Sequence, residues 1–570
     1  MRRLPVQEAL RRPIAWLNKP GVLERLLVIA ILVGVALRFA TLWTLPPRYD
    51  ATAYMAEGDS LARGMGFVAP WGRYDDPYSS TPQPTNLGPV YPMYLAAFYR
   101  AFGFSVAVTQ AAALVLALVT LGVAYLAARD LYGKRTGLLT CALLAANPWL
   151  VIFPGMEWSE NMVLLFFILT VWALLRGLRT GRTLPFALAG LGAAGFALTK
   201  AQGLSFVLIG GAALGLVAWR VYERGVRSLR DPATWALVAT FLAPLLAWAA
   251  WGPQPGLAPT LSHPTSAEIA AAALVKLAFV VFTIAFTFAF LFPELLQARG
   301  AWRTAEGRLL WLAGLGLAAM IWVLLTTAFA AGETPGEPLW KPEQARHLIP
   351  VTVPLLWLAV SAPAKSPALR IVARFSTRRV RWTICVALLA AIPVATWLGT
   401  FLDGLFLLAL AAAVHVRPTN ARMALLLVLA LLVATNGAFD VRQAPHVQAG
   451  EWLQVHAHPG DILGVDPWSP YQNGTVVPGP TYKYELYPYL ADTGIRVVPY
   501  ASDANATYVL SYRSDTYPGY RLVKPLYWES SPGPLYRGWE SLVNLGRSLL
   551  GHPSPNTPAQ PEAWLLERVP

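Results

Sequence analysis

The sequence predicts a polytopic α-helical membrane protein of about thirteen transmembrane helices, with a small external α/β domain at its C-terminal end. Three observations carry this. Of the 570 residues, 56% are hydrophobic and only 13% are charged, with a mean hydropathy of +0.46, where a soluble chain would show about twice that charged fraction. Apolar runs near the roughly 20 residues needed to cross a bilayer recur from Leu26 to Gly437. The connections between those runs alternate in charge.

The predicted spans lie near 26–45, 104–128, 136–153, 160–176, 184–199, 203–219, 233–251, 269–293, 309–330, 347–363, 382–399, 404–415 and 423–437. The first is an anchor rather than a cleaved signal, because an aromatic, proline-rich loop follows it instead of a small-residue cleavage site. Lys and Arg concentrate on the cytoplasmic side of a membrane, so the arm carrying Arg2, Arg3, Arg11, Arg12, Lys19 and Arg25 is expected in the cytoplasm. Alternate connections from there are basic: 129–135, 176–182, 220–230, 299–308, 365–381 and 417–422. The connections 154–159 and 252–268 contain no Lys or Arg. An odd number of spans then leaves the C-terminal domain external, on a multi-pass protein of the cell (inner or plasma) membrane. The net charge of +14 belongs to loops facing anionic lipid, and nothing points to nucleic acid.

Two regions follow: a membrane core, 1–437, whose first outer loop is 46–103, and a separate domain, 438–570, of about the usual domain size. In the latter, Gly450–His456 reads as a short helix, Pro459–Val465 as a turn and a buried strand, and Arg496–Val498 and Ala506–Ser511 as further strands. His446, His456 and His458 lack the spacing of a metal site and read as solvated helix-end residues. Cys141 and Cys385 fall inside predicted spans, where they read as core packing, so the external domain has no disulfide.

Ionisable residues near the midplane mark transporters, whereas an enzyme acting on lipid head groups needs them at one face. Here they collect at outer ends: Asp50 and Glu57 after the first span, Glu157 and Glu160 between the third and fourth, Lys200 between the fifth and sixth, and Arg346 and His347 opening the tenth. Lys276 is the exception, either snorkelling or facing a cavity. If 50–61 is helical, Asp50, Tyr54, Glu57 and Leu61 share one face, a surface for something hydroxylated or metallic. Trp71, Tyr74, Tyr78 and Tyr91 suit sugar stacking or, for most of them, interface anchoring. The loops 252–268 and 331–346, rich in Pro and Gly, are covers over a site or slack connections.

These residues carry a resemblance. Tyr49-Asp50-Ala51-Thr52-Ala53-Tyr54, followed by Ser60-Leu61 and Gly64-Met65-Gly66, resembles the first outer loop of the polyprenyl-phosphate-dependent glycosyltransferases of the C fold class. These include bacterial relatives of the protein O-mannosyltransferases and the lipid A aminoarabinose transferase. Pro89-Val90-Tyr91-Pro92-Met93-Tyr94 is similar to that loop's second amphipathic helix. Asn147-Pro148 with Ser159-Glu160 resembles the connection from third to fourth span, and Leu198-Thr199-Lys200 and Arg346-His347 resemble later basic positions. The sequence departs at Ala51, where many relatives have a second acid, whose role would pass to Glu57, and at Ala201, where relatives often have Pro.

The resemblance implies transfer of a sugar from a polyprenyl-phosphate carrier at the outer leaflet, with inversion, to a hydroxyl or phosphate of a lipid, an envelope glycan or a protein. A phosphate leaving group needs cationic or metal stabilisation, which Lys200 and Arg346 suit. An acceptor hydroxyl needs a base, for which Asp50 is the choice. Glu160 would orient the acceptor, share a divalent metal ion with Asp50, or be the base itself. Tyr54, Glu57, Tyr91 and His347 complete the expected substrate site. The competing classes are a lipid flippase or solute transporter, which predicts internal repeats that are not evident, and a structural or sensory protein, which leaves the outer acids unexplained.

Overall fold

The computed structural model describes residues 21–45, 47, 50–71, 81–84, 87–156, 159–199, 219–252, 302–330, 347–361, 441–443, 445–465, 468–472, 475–478, 486–499, 505–511, 517–526, 529–531 and 563–569, with scattered positions within 273–280 and 427–438. Among these, five helices are long and apolar enough to cross a membrane, or six when one bent pair counts as a single span. The expected spans at 203–219, 382–399 and 404–415 lie outside the described residues, as do Glu157, Lys200, Arg346 and Cys385.

Helix α1 (Val22–Thr44) leads through the first loop into α2 (Asp50–Ala62), a two-stranded pair β1 (Val68–Ala69) and β2 (Gln83–Pro84), and α3 (Val90–Phe102). Helix α4 (Val106–Tyr132) starts where the Ser105 side chain accepts the Val108 N–H and stops at Gly133, whose φ of 91° suits glycine. The next span is not the single helix expected at 136–153. It is α5 (Lys134–Ala145) and α6 (Pro148–Met156), bent by 60°. Pro148 lacks the N–H to continue the first helix and biases the residue before it away from helical backbone. Asn147 Oδ1 then accepts the Leu150 N–H at 3.2 Å and restarts it.

Helices α7 (Glu160–Thr180), α8 (Thr183–Thr199), α9 (Pro232–Trp251), α10 (Ala305–Ala330) and α11 (Ile349–Ser361) complete the described bundle. One apolar cluster joins α1, α4, α5, α7, α10 and α11. Glycines let backbones meet: a Cβ on Gly34 would strike the Ala145 carbonyl, as in close-packed membrane helices. At one end of the bundle the helices are joined by ion pairs. Arg179 forks onto Glu306 at 2.7 and 2.8 Å, Arg308 onto Glu223 at 2.7 and 2.9 Å, and buried Arg220 meets Asp231 at 2.5 Å. This is the end where the sequence places its basic connections.

The expectation that ionisable residues avoid the span interiors needs correction. Arg38, 1% exposed, lies within α1. It donates to Gly34 O at 2.8 Å, Ala145 O at 2.7 Å and Leu144 O at 2.9 Å, so the guanidinium caps carbonyls left open where α5 ends. Lys276 is likewise fully buried and does not snorkel.

The C-terminal region comprises β3 (Val441–Gln443), α12 (Pro445–His456), β4 (Ile462–Val465), β5 (Trp468–Gln472), β6 (Thr475–Pro478), α13 (Tyr487–Leu490), β7 (Arg496–Pro499), β8 (Tyr508–Ser511), β9 (Tyr520–Leu526), β10 (Glu529–Ser531) and β11 (Ala563–Arg568). Its sheet has the order β7-β4-β8-β11-β9, with β4 parallel to β7 and β8 and β11 antiparallel to both neighbours. Interior strand β4, Ile-Leu-Gly-Val, shows the continuous apolar run of a strand covered on both faces. His456 and His458 are exposed as expected, His456 stacking on Trp452. His446 is not solvated but 3% exposed, because the first turn of α12 is buried.

Candidate functional site

The end of the bundle opposite the ion pairs gathers the first loop and the ends of several spans. Helix α2 is buried on every side from Ala51 to Ser60, so Tyr54 and Glu57 are interior groups at 2% and 1% exposure rather than an open surface. Tyr54 meets Tyr91 of α3 edge to face at 5.3 Å, and its hydroxyl donates to Thr199 O at 3.4 Å. Thr199 ends α8, immediately before Lys200. Gly88 rests against the carbonyls of Leu198 and Thr199, where a Cβ would not fit. The loop is therefore seated on the helix end that leads to the expected phosphate-binding lysine.

Glu160 is the first residue of α7 and 5% exposed. There the open N–H groups and helix dipole favour a carboxylate. His347 Nδ1, just before α11, lies 3.9 Å from Glu160 Oε1, so the structure brings these two expected site residues together. Met162, one turn into α7, joins Tyr54, Tyr91, Leu87 and Tyr487 in one buried cluster. Asp50 opens α2. Tyr91 is fully buried and Trp71 half-buried, and both pack against other parts of the protein. Burial pushes the Tyr94 phenol up to about 12, which keeps it a donor, to Ala112 O at 2.7 Å, and unsuited to act as a base. Among the described residues no group of three or more His, Cys, Asp or Glu side chains could hold a metal ion.

A polar seam between α2 and the C-terminal region was not legible in the sequence. Asp59, 2% exposed, accepts from Tyr487 Oη at 2.8 Å and from Arg63 Nε at 2.8 Å. Arg63 continues to Asp492 at 2.6 Å, and its hydrogen bonds to Asp59 and Asp492 raise its pKa above the usual value. Trp71 packs edge-on against Tyr487 at 4.8 Å. An acid and a base four residues apart on a helix are an ordinary surface pattern, which hides their part in a contact 428 residues along the chain.

Residues 83–251 match a family model described as dolichyl-phosphate-mannose-protein mannosyltransferase. Among solved structures the chain is similar to ArnT from Cupriavidus metallidurans bound to undecaprenyl phosphate, with a TM-score of 0.54 and 13% identity over 95% of this chain and 98% of that one. The apo form of ArnT gives a TM-score of 0.56 and 14% identity over 95% and 97%. Archaeal oligosaccharyltransferase AglB from Archaeoglobus fulgidus, in complex with an inhibitory peptide and a dolichol-phosphate, is 11% identical over 96% and 88%, with a TM-score of 0.49, too low to establish a common fold. No curated protein matches the chain in sequence. The chain thus has the fold of the ArnT structures along nearly its whole length, and resembles the C-class polyprenyl-phosphate glycosyltransferases as its first-loop motifs led one to expect.

Proposed function

We propose that this chain is an integral-membrane glycosyltransferase that moves a sugar from a polyprenyl-phosphate carrier to an acceptor hydroxyl or phosphate, on a lipid, envelope glycan or protein, at the outer face of the membrane and with inversion. The observation that carries the reading is the convergence at one end of the bundle. There Tyr54 touches the carbonyl before Lys200, and Glu160 stands 3.9 Å from His347, the residue after Arg346. The opposite end is occupied by Arg–acid pairs, which suit a structural cytoplasmic face.

The chemistry follows from the groups. Asp50 takes the acceptor proton as the acceptor oxygen bonds to the anomeric carbon from the side opposite the phosphate. The bond from that carbon to the phosphate oxygen breaks, and the electron pair leaves with polyprenyl phosphate. Lys200 and Arg346 meet the charge that develops on it. Glu160, held beside His347, orients the acceptor. Asp50 and Glu160 are also the pair that would share a divalent ion: activity lost in chelator and restored by Mg2+ or Mn2+ would establish it, and full activity in chelator would remove it.

Membranes containing the protein are incubated with radiolabelled polyprenyl-phosphate sugars, and label is followed into lipid, glycan and protein. Transfer to any of the three supports the proposal. Movement of intact donor across the bilayer with no glycosidic product would sink it in favour of a carrier.

A further inference from the structure

Gln110 lies inside α4, in the first turns after Ser105, and is 7% exposed. Its Nε2 donates to Leu45 O at 3.0 Å and to Gly155 O at 3.3 Å. A carboxamide nitrogen carries two N–H groups, so one atom serves both acceptors at once. Leu45 is the C-cap of α1, and Gly155 lies in the last turn of α6. Both carbonyls therefore belong to the set a helix end leaves open, which in a membrane has no water to turn to.

What these two carbonyls precede gives the contact its meaning. Leu45 stands five residues before Asp50 and Gly155 five residues before Glu160. A second contact fixes the same gap: a Cβ on Gly155 would lie 2.5 Å from Thr41 O and 2.9 Å from Leu45 Cβ, so the ends of α1 and α6 already touch backbone to backbone. Below it, Arg38 holds the end of α5. The two connections thus leave the bundle from one fixed point.

We propose that Gln110 is a positioning residue that sets the separation of Asp50 and Glu160 by stapling the chain ends from which both depart. This rests on the catalytic reading of those two acids. Gln110 touches neither of them; it acts through the backbone.

The test uses full-length protein in nanodiscs, with Cys141→Ala and Cys385→Ala, and spin labels at Trp43→Cys and Ile152→Cys. Gln110→Leu is expected to broaden the distance distribution between the labels and to lower kcat about 10–100-fold, with KM for the donor nearly unchanged, since displacement of about 1 Å suffices for such a loss. Gln110→Asn keeps both N–H groups on a side chain one methylene shorter, reaches at most one carbonyl and should give an intermediate kcat; it also serves if the leucine variant does not fold. Thr180→Val, which deletes a hydrogen bond internal to the last turn of α7, should leave kcat and the distances native. If Asp50→Asn and Glu160→Gln transfer sugar at the native rate, the catalytic reading falls, whatever Gln110 does. If those variants are inactive while Gln110→Leu keeps native kcat and a narrow distribution, the Gln110 proposal falls alone.

Discussion

Asp50 opens α2, and its removal has to be judged by chemistry and not by folding alone. Asp50→Asn keeps shape and polarity and removes basicity. Transfer should fall about 10²–10⁴-fold while donor binding and thermal stability persist; a native rate in the same assay would make Asp50 structural and shift the base to Glu57 or Glu160. The cations are argued from the leaving group. A charge-assisted contact contributes about 1.5–3 kcal/mol, or roughly 10–100-fold, and strengthens as charge develops on the departing oxygen. Lys200→Ala and Arg346→Ala should each lower turnover at saturating donor more than they weaken donor binding, with Arg346→Lys intermediate because its planar fork is lost. Unchanged turnover in both alanine variants would remove them from the site. At this scale the sequence was informative about placement where a residue carries its own charge or ring: Tyr54 meets Tyr91 and Glu160 lies beside His347. Gln110, Arg38 and Asn147 were not legible, because their partners are distant or local backbone groups that leave no side-chain pattern. A lone Gln or Arg within an apolar run was the available signal.

At the scale of elements, α2 is held between α3, the end of α8 and the short helix α13. The seam on α13 centres on Asp59, which is buried with Tyr487 and Arg63 both donating to it. Tyr487→Phe removes one hydrogen bond to a charged group and should lower stability by about 1.5–3 kcal/mol. Asp59→Ala should cost more, because Arg63 and the Tyr487 hydroxyl lose their shared acceptor. Combined with Asp59→Asn, Tyr487→Phe should show a coupling above about 0.5 kcal/mol in thermal melts of the purified protein; strict additivity would mean that the seam is incidental. Among the described residues the long helices match the expected apolar runs to within a few residues, since apolar length is a direct signal. The bend at Asn147 was read through, because the apolar run continues across it. Hydropathy sums side chains, whereas the break is made by a missing backbone N–H and a capping amide.

For the whole molecule, the described helices place two kinds of end on opposite sides: Arg–acid pairs at one, the buried first loop and Glu160 at the other. The alternation of basic connections therefore agrees with the packing. A reporter fused after Arg422 should be cytoplasmic and one fused at the C-terminus external; finding both on one side would break the assignment of the Asp50 end to the outer face. The expected orientation rests on charge bias summed over the entire chain, while the docking of α13 on α2 was hidden by its separation in sequence. Arg38 has a bearing on how the protein is made. As the ribosome delivers α1, its guanidinium enters the bilayer before residues 144 and 145 have been synthesised, so two of its three acceptors do not yet exist. An arginine costs about 2.5–3.5 kcal/mol at the centre of an inserting helix, and less for Arg38, which stands six residues from the end of α1. The first span therefore carries that cost unrelieved until α5 arrives with its two carbonyls. A nascent chain arrested before Leu144 would hold α1 less firmly than the finished protein does, so the order of synthesis is part of how this bundle comes together.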